Sequence, residues 1–363
     1  MSVDFAEVTD ITIPQGEVTK IEETATGRVL WEKKVEGFPV YAIGSKAKTW
    51  SNNAVPDAYG FYKLDMPDAI QLVRLSSSSF GAKIKNGSWY VCEVSSDLFD
   101  ALRISSFTAP LPTELPISDI VNLSGGACVY NNITYRYMFY TTKDETYYMG
   151  KRTITSSGST SYSYTKFSNV KLQQKIFSTG YAYVRENALF FNGSPAGGVM
   201  VDTDRIKSVC GEMLIQGAYY LTYGGELYKV TNNENTRIFP EAGKIIGCWI
   251  TDGSSNSGIR MFIATETQGL YAKGYNYSYS LGLPLKENYN DFTKTYNGLV
   301  KKVTGNPNRS FLLTYDGDLY HTGLSQSGIT DTHEVFTRIH PEHKYEDIEY
   351  IPEDNTLVVM IKE

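Results

Sequence analysis

One local pattern recurs along the chain and limits the folds open to it. A short apolar strand leads to a turn containing Gly, Asn or Asp, and a second strand follows that ends in an aromatic residue. The three clearest copies are FLLTYDGDLY (311–320), YYLTYGGELY (219–228) and MFIATETQGLY (261–271). Weaker copies span 80–90, 137–148 and 181–191.

Another apolar strand precedes each of these hairpins. These strands begin near Ile70, Ile120, Val170, Ile206, Ile245 and Val300, 36 to 55 residues apart. A four-stranded propeller blade occupies about 40 to 50 residues, so the spacing predicts six blades with loops of unequal length.

The two ends of the chain predict a seventh, shared blade. Residues 348–362 supply a strand and a hairpin, while 38–44 and 58–63 supply the missing outer strands. Sharing strands would close the ring and remove the exposed edges of an open array. The expected fold is therefore an all-β, seven-bladed β-propeller.

The segment LYAKGYNYSYSLGL (270–283) is similar to the blade signature of the regulator-of-chromosome-condensation repeat family, and 319–329 matches it more weakly. In that family aspartate-glycine, a strand, glycine, asparagine and leucine-glycine follow one another. Here the positions are filled by Asp316, Gly317, Gly274, Asn276, Leu281 and Gly282. The resemblance covers residues 245–330. It implies a seven-bladed propeller, and it does not imply nucleotide-exchange activity.

Residues 1–36 fall outside the repeat and predict a small β-hairpin module, with 37–363 as the propeller. Strand-like alternation and turns at 14–16 and 26–27 support this. The apolar residues assigned to attachment are Ile11, Ile13, Val18, Ile21, Val29, Leu30 and Trp31. So short a piece cannot bury enough surface alone, so it should dock on a partner or lie as a lid on its own propeller.

The pattern of residues 13–21 and 27–31 resembles the N-terminal module of tail and other structural proteins in phages of Gram-positive gut bacteria. This resemblance implies that the segment fastens the protein to a virus particle. The remaining chain would then be displayed from that particle.

Charge and composition limit the classes of partner that the chain is expected to bind. The net charge is −6 with scattered Lys and Arg, which argues against a nucleic-acid footprint. No apolar run of membrane-spanning length occurs, and the N-terminus does not resemble a signal peptide. Cys92, Cys128, Cys210 and Cys248 are expected to be reduced core residues, because no C-x-x-C pair is present.

Catalytic and metal motifs are missing from the sequence. No nucleophile elbow, P-loop or dinucleotide fingerprint occurs. The pair His340 and His343 is interrupted by Pro341 and is expected to lie in an exposed loop. We therefore expect no cofactor, no metal and no enzymatic activity.

Tyrosines offer the remaining candidate binding site. Tyr162 and Tyr164 in one segment, and Tyr275, Tyr277 and Tyr279 in another, are expected in loops on the same propeller face. Exposed Tyr and Ser side chains could contact a sugar or a protein, as they do in paratopes. The alternative is that these tyrosines alternate along strands and pack between blades.

The sequence thus predicts a phage virion structural protein of tail, fibre, neck or head, made in the host cytoplasm. Its partners would be other virion proteins through residues 1–36 and a host surface glycan or protein. Two alternatives stay open: an intracellular propeller scaffold, and a carbohydrate-active enzyme whose acid pair comes from distant blades.

Overall fold

The computed structural model divides the chain into two compact units, 1–37 and 38–363. It describes residues 18–23, 29–33, 36–76, 78–94, 99–100, 102–104, 107–130, 133–144, 146–168, 170–176, 180–185, 188–191, 194–195, 206–211, 218–230, 235–252, 260–326 and 329–362.

In the first unit, strands β1 (Val18–Glu23) and β2 (Val29–Lys33) pair antiparallel. Ile21 is opposite Trp31 in this pairing, and Glu23 is opposite Val29. Ile11 and Ile13 lie outside the described residues. The attachment role assigned to this segment stays a prediction.

The second unit is an all-β propeller, and its described residues form seven antiparallel four-stranded sheets. Six of them follow chain order. The first two of these sheets consist of β5 (Ala69–Arg74), β6 (Phe80–Ile84), β7 (Trp89–Cys92) and β8 (Thr113–Glu114), and of β9 (Ile120–Tyr130), β10 (Ile133–Thr142), β11 (Tyr147–Ile154) and β12 (Thr160–Phe167). The next two consist of β13 (Val170–Ile176), β14 (Gly180–Arg185), β15 (Ala188–Phe191) and β16 (Ser194–Pro195), and of β17 (Ile206–Gly211), β18 (Ala218–Thr222), β19 (Leu227–Val230) and β20 (Asn235–Ile238). The last two consist of β21 (Ile245–Asp252), β22 (Arg260–Thr265), β23 (Gly269–Tyr275) and β24 (Asn288–Tyr296), and of β25 (Val300–Asn306), β26 (Arg309–Thr314), β27 (Leu319–Gly323) and β28 (His333–Ile339).

The remaining sheet joins the two ends of the propeller, in the order β29, β30, β3, β4. Its strands are β29 (Lys344–Ile351), β30 (Thr356–Lys362), β3 (Val40–Gly44) and β4 (Tyr62–Lys63). The register runs from Val40 opposite Met360 to Gly44 opposite Thr356. The predicted sharing of strands between the chain ends is confirmed.

Contacts between first strands close the circle. Each of β5, β9, β13, β17, β21 and β25 contacts the first strand of the next sheet, and β29 contacts β5. The six strand starts predicted from the sequence coincide with the starts of these six strands to within one residue. The helical elements whose bounds are described are short turns, α1 (Ala47–Trp50) and a 3-10 turn (Pro240–Ala242). None of the described helices is long and apolar enough to span a membrane.

A threonine stands at the start of the hairpin turn in four of the sheets. The hydroxyl oxygens of Thr222 and Thr314 each accept the backbone N–H four residues ahead, at 3.0 Å. Thr265 donates to the carbonyl of Gly269 at 3.0 Å, and Thr142 donates to that of Thr146 at 3.1 Å. The hydroxyl thus replaces the hydrogen-bond partners that the backbone loses at the turn.

The first strand of every sheet is displaced in register by one residue near its start, as in a β-bulge. The bypassed residues are Ile70, Val121, Lys171, Lys207, Ile246, Lys301 and Glu346. A bulge leaves the extra residue without its ladder partner. Three of these carbonyls, those of Val121, Ile246 and Glu346, accept a lysine ammonium from the preceding sheet, at 2.9, 3.1 and 2.8 Å.

A buried ionic cluster connects three first strands across the closure. The ammonium of Lys302 on β25 lies 2.8 Å from Asp347 and 2.9 Å from Glu349, both on β29. Asp347 also accepts the backbone N–H of Leu72 on β5 at 2.7 Å. Burial alone would lower the pKa of Lys302, but the two carboxylates outweigh burial and raise this pKa to about 12. Lys302 therefore stays charged, which keeps the buried carboxylates paired.

Glycines in the hairpin turns hold neighbouring sheets together. The carbonyl of Gly225 accepts the N–H of Ile245, and the carbonyl of Gly317 accepts that of Tyr345, both at 2.9 Å. Gly225 has a φ of +84°, and a Cβ there would lie 2.4 Å from Lys244 Cγ and 3.0 Å from the nitrogen of Ile245. The next sheet thus leaves no space for a side chain at this turn.

This packing predicts different costs for two glycine substitutions with the same backbone strain. Gly158 has a φ of +83°, and a Cβ there would meet nothing within 4 Å. Gly158→Ala should cost about 1 kcal/mol for the left-handed backbone alone. Gly225→Ala should cost a further ~1–3 kcal/mol, because it also displaces the neighbouring sheet. Urea unfolding of the two variants measures this, and equal losses would contradict the steric argument.

Candidate functional site

The loop that follows β23 carries Tyr277 and Tyr279, and a buried asparagine organises it. Tyr275, predicted in the same loop, is instead the last residue of β23. The side-chain amide of Asn276 donates to the carbonyls of Leu283 and Leu285, at 2.5 and 2.7 Å, and its oxygen accepts the N–H of Leu281 at 2.9 Å. Asn276 is fully buried. These three bonds fix the path of residues 276–285, because an unpaired buried amide would be costly.

Bonds to the adjacent sheet fasten the same loop from outside. Thr322 donates to the carbonyl of Tyr279 at 2.7 Å, and Ser310 donates to that of Ser280 at 2.7 Å. Ser278 reaches the side-chain oxygen of Asn308 at 3.3 Å. The loop is therefore held by two sheets, and a segment fixed in this way would lose little conformational entropy on binding.

The three tyrosines differ in how much surface they present. Tyr277 is 57% exposed. Tyr275 is half-buried, with its ring 5.6 Å from that of Tyr277. Tyr279 is half-buried in a left-handed conformation, with φ +59°. Tyr277 is thus the open aromatic anchor of the group.

Charged side chains surround Tyr279. The ammonium of Lys286 lies 4.7 Å from the centre of its ring, a cation–π distance. A hydrogen bond to Glu334 raises the pKa of the Tyr279 hydroxyl. Next to the aromatic surface, the site therefore offers a cation, a carboxylate and hydroxyl groups, which suits a polar ligand with an apolar face.

Tyr162 and Tyr164 lie elsewhere, and the prediction that they belong to a loop is wrong. Both are on β12, whose preceding loop spans 155–159. Tyr162 is 50% exposed, while Tyr164 is half-buried with the Arg103 guanidinium 4.4 Å from its ring centre. Two other sheets separate this sheet from that of Tyr277 along the ring, so the two tyrosine groups do not form one site.

His340 and His343 lie in the loop between β28 and β29, as expected, but the prediction that this loop exposes them is wrong. Both rings pack edge-on against Phe61, at centroid distances of 5.0 and 5.3 Å, and both side chains are more than four-fifths buried. Phe61 lies directly before β4 and is about 280 residues away from these histidines in the chain, so no local sequence pattern indicates this contact. Among the described residues, no group of three or more His, Cys, Asp or Glu side chains could hold a metal ion.

A second histidine pair was not singled out from the sequence. The Nδ1 atoms of His321 and His333 are 3.0 Å apart, so a single proton can lie between them. His321 is fully buried. Burial, His333 and Arg309 lower the pKa of His321 to about 3. The ring is neutral at physiological pH and packs against Phe311, with ring centroids 5.0 Å apart.

This depressed pKa predicts acid sensitivity of the fold. The unfolded chain binds a proton at His321 below about pH 6.5, whereas the folded chain does not until about pH 3. Stability should therefore fall with decreasing pH across this range, by about 2 kcal/mol from pH 6.5 to 5. His321→Asn removes the titrating group and should flatten the pH dependence of the urea midpoint. An equally steep dependence in the variant would contradict the assignment.

Comparison with known proteins shows that this chain is similar in fold to several solved structures. No protein-family model matches the sequence, and no curated protein is significantly similar to it. Prp20p from Saccharomyces cerevisiae, studied for binding to Gsp1p and histones, superposes with a TM-score of 0.64 at 12% identity, covering 91% of this chain and 92% of that one.

Two further structures agree with this result. The structure of Kap60 bound to yeast RCC1 (Prp20) gives a TM-score of 0.63 at 12% identity, covering 100% of this chain and 97% of that one. Human WBSCR16 gives 0.59 at 12% identity, covering 90% and 100%. The predicted resemblance to the regulator-of-chromosome-condensation family is confirmed at the level of structure, and the chain has the fold of RCC1-like β-propellers.

Proposed function

We propose that this chain is a binding protein of a phage virion, in which residues 1–36 attach a closed, seven-bladed ring to the particle. The observation that carries the proposal is the closure of the ring by its own strands. β30 pairs with β3 along five residues, so the circle is complete without any residue before Phe38. The N-terminal segment is then available for another task.

The apolar alternation of residues 11–31 supports attachment as that task. Val18 and Ile21 on β1, and Val29, Leu30 and Trp31 on β2, concentrate apolar side chains on a two-stranded piece. An isolated two-stranded hairpin is marginally stable in water, so it gains stability by packing on a partner. The resemblance of this segment to phage structural modules supports virion proteins as the proposed partners.

The ring itself would make the second contact, to a host surface. The preorganised loop with Tyr277 at its tip is the candidate binding element, and a glycan or a protein on the host is the proposed ligand. Aromatic rings contribute large contact areas to such binding at low conformational cost. The proposed role is binding, without chemistry of its own.

An intracellular interaction scaffold is the second candidate. Its support is the similarity in fold to Prp20p, for which binding to Gsp1p and histones is described. In that case the propeller would recruit protein partners and residues 1–36 would be an extension. Gene neighbourhood separates the two, because virion genes cluster with capsid and tail genes. A carbohydrate-active enzyme is a third alternative, and a glycan array followed by product analysis tests it.

Deletion of residues 1–36 tests the attachment. The fragment 37–363 should be expressed and folded, yet missing from purified particles, and full-length protein added back should be incorporated. Trp31→Ala should weaken incorporation, because truncating a buried interface Trp costs about 2 kcal/mol or more. Glu32→Ala is the matched control. Normal incorporation of the fragment would contradict the attachment hypothesis. It would favour a segment that packs as a lid on its own propeller, or the scaffold hypothesis.

Tyr277→Ala tests the loop. A contributing aromatic anchor costs about 2 kcal/mol when truncated, so adsorption to host cells should weaken roughly thirtyfold. Tyr223→Ala is the matched control, since Tyr223 is also exposed, at 68%. It lies in the turn between β18 and β19, the second and third strands of their sheet, whereas loop 276–287 joins the third and fourth strands of its sheet. Such turns and such loops lie at opposite ends of a sheet. Unchanged adsorption of Tyr277→Ala, with an unchanged melting temperature, would exclude this residue from the site.

A further inference from the structure

The outer strands of the sheets differ in how well their free edges are protected from pairing. Three of them, β4, β8 and β16, have two residues each, and β16 contains Pro195. β24 and β28 are longer, but both shift register against their neighbours, and both carry charged residues. Short length, proline, bulges and charge are devices that prevent an edge strand from adding another strand.

β12 has almost none of these devices. It pairs with β11 over eight consecutive residues without a register shift. Its first six residues, Thr160 to Thr165, are uncharged, and Thr160 to Ser163 are exposed. A long, regular, uncharged edge strand is a template for pairing with another chain.

A row of aromatic rings crosses this sheet and ends at the same edge. Tyr140 on β10 stacks on Tyr148 on β11, with ring centroids 4.7 Å apart and planes 15° from parallel. Tyr164 on β12 continues the row, 6.5 Å from Tyr148. Tyr162 lies two residues before Tyr164 and therefore on the same face. Tyr162 is 50% exposed, so the row ends in an aromatic surface open to solvent.

We propose that β12 pairs antiparallel with β12 of a second copy of this chain, around a two-fold axis through Ser163. In that register Tyr162 is opposite Tyr164 of the partner subunit, and the same pair forms again by symmetry. The row of rings would then run without interruption through both molecules. A contact of this kind is self-complementary, as two-fold interfaces require.

The charges of the sheet are compatible with this pairing. Lys166 is opposite Thr160 of the partner subunit in the proposed register, so no like charges face each other. Lys151 is opposite Ser163 on β11. In the dimer, Lys151 would be three strand spacings, about 14 Å, from Lys151 of the second copy. This distance exceeds the Debye length of ~8 Å in physiological salt, so the repulsion between the two charges would be screened. The symmetry of the tyrosine pairs favours a second copy over an unrelated extended peptide.

Sedimentation of the full-length chain over a range of concentrations tests the dimer. Ser163→Lys places two ammonium groups opposite each other at the axis and should give a monomer. Ser157→Lys, in the exposed loop before β12, adds the same charge away from the axis and should leave the dimer intact. Mixing Ser163→Lys with Ser163→Glu chains should restore a dimer, because the two charges then attract.

Cysteine cross-linking tests the register. Ser163→Cys should form a disulfide-linked dimer under mild oxidation, since directly opposite residues in antiparallel strands have Cα atoms about 4.5 to 5.5 Å apart. Ser161→Cys, which would be opposite Thr165 of the partner subunit, should not. A chain that stays monomeric at all concentrations, a dimer that Ser163→Lys leaves intact, or a mixture that does not recover would each overturn the proposal.

Discussion

The pairing of β30 with β3 is the interaction on which the rest of the propeller depends. Each sheet buries its two faces only between two neighbours, so a row of sheets would expose an apolar face at each end. Closing the row covers both faces. The strands that complete the shared sheet come from opposite ends of the propeller, so closure is possible only when the whole chain has folded. Buried residues of the closing strands, such as Val358 and Val40, pack in the core that this sheet shares with the next.

Polar contacts between neighbouring sheets stabilise the closed arrangement. The bulged carbonyls accept lysine ammonium groups, the turn glycines accept backbone N–H groups, and Lys302 binds two carboxylates across the closure. The carbonyl groups at the bulges and turns thereby gain hydrogen bonds that the sheet ladder does not provide, and the Lys302 ammonium pairs with two carboxylates. Sheets of a propeller share no hydrogen-bond ladder with each other, so these side-chain and turn contacts set the spacing and register of adjacent sheets. The tyrosine loop uses the same principle, since Thr322 and Ser310 of one sheet hold the backbone of the loop on the previous one.

Much of this fold could be read from the sequence, because strand starts and hairpin turns depend on local patterns. The turn threonine recurs in four of the sheets, at Thr142, Thr222, Thr265 and Thr314, because its hydroxyl makes a similar turn hydrogen bond in each. Asn276, singled out in the sequence, makes three side-chain hydrogen bonds that hold its loop. Tyr162 and Tyr164 were misplaced because a run of Ser, Thr and Tyr is equally compatible with an outer strand and with a loop. The burial of His340 and His343 depends on Phe61, which is distant in the chain, and no local pattern encodes such a contact.

The position of β3 has a mechanical consequence. The N-terminal segment joins the ring directly before Phe38, which exchanges two backbone hydrogen bonds with Ala69 at 2.8 and 2.9 Å and leads into β3. Tension on a tether formed by residues 1–36 would therefore enter the ring at its closing sheet, not at a peripheral loop. The first bonds to bear the load would be the Phe38–Ala69 pair, followed by the five-residue pairing of β3 with β30. In a protein held by its N-terminus against shear, the strength of the closure would set the force at which the ring opens.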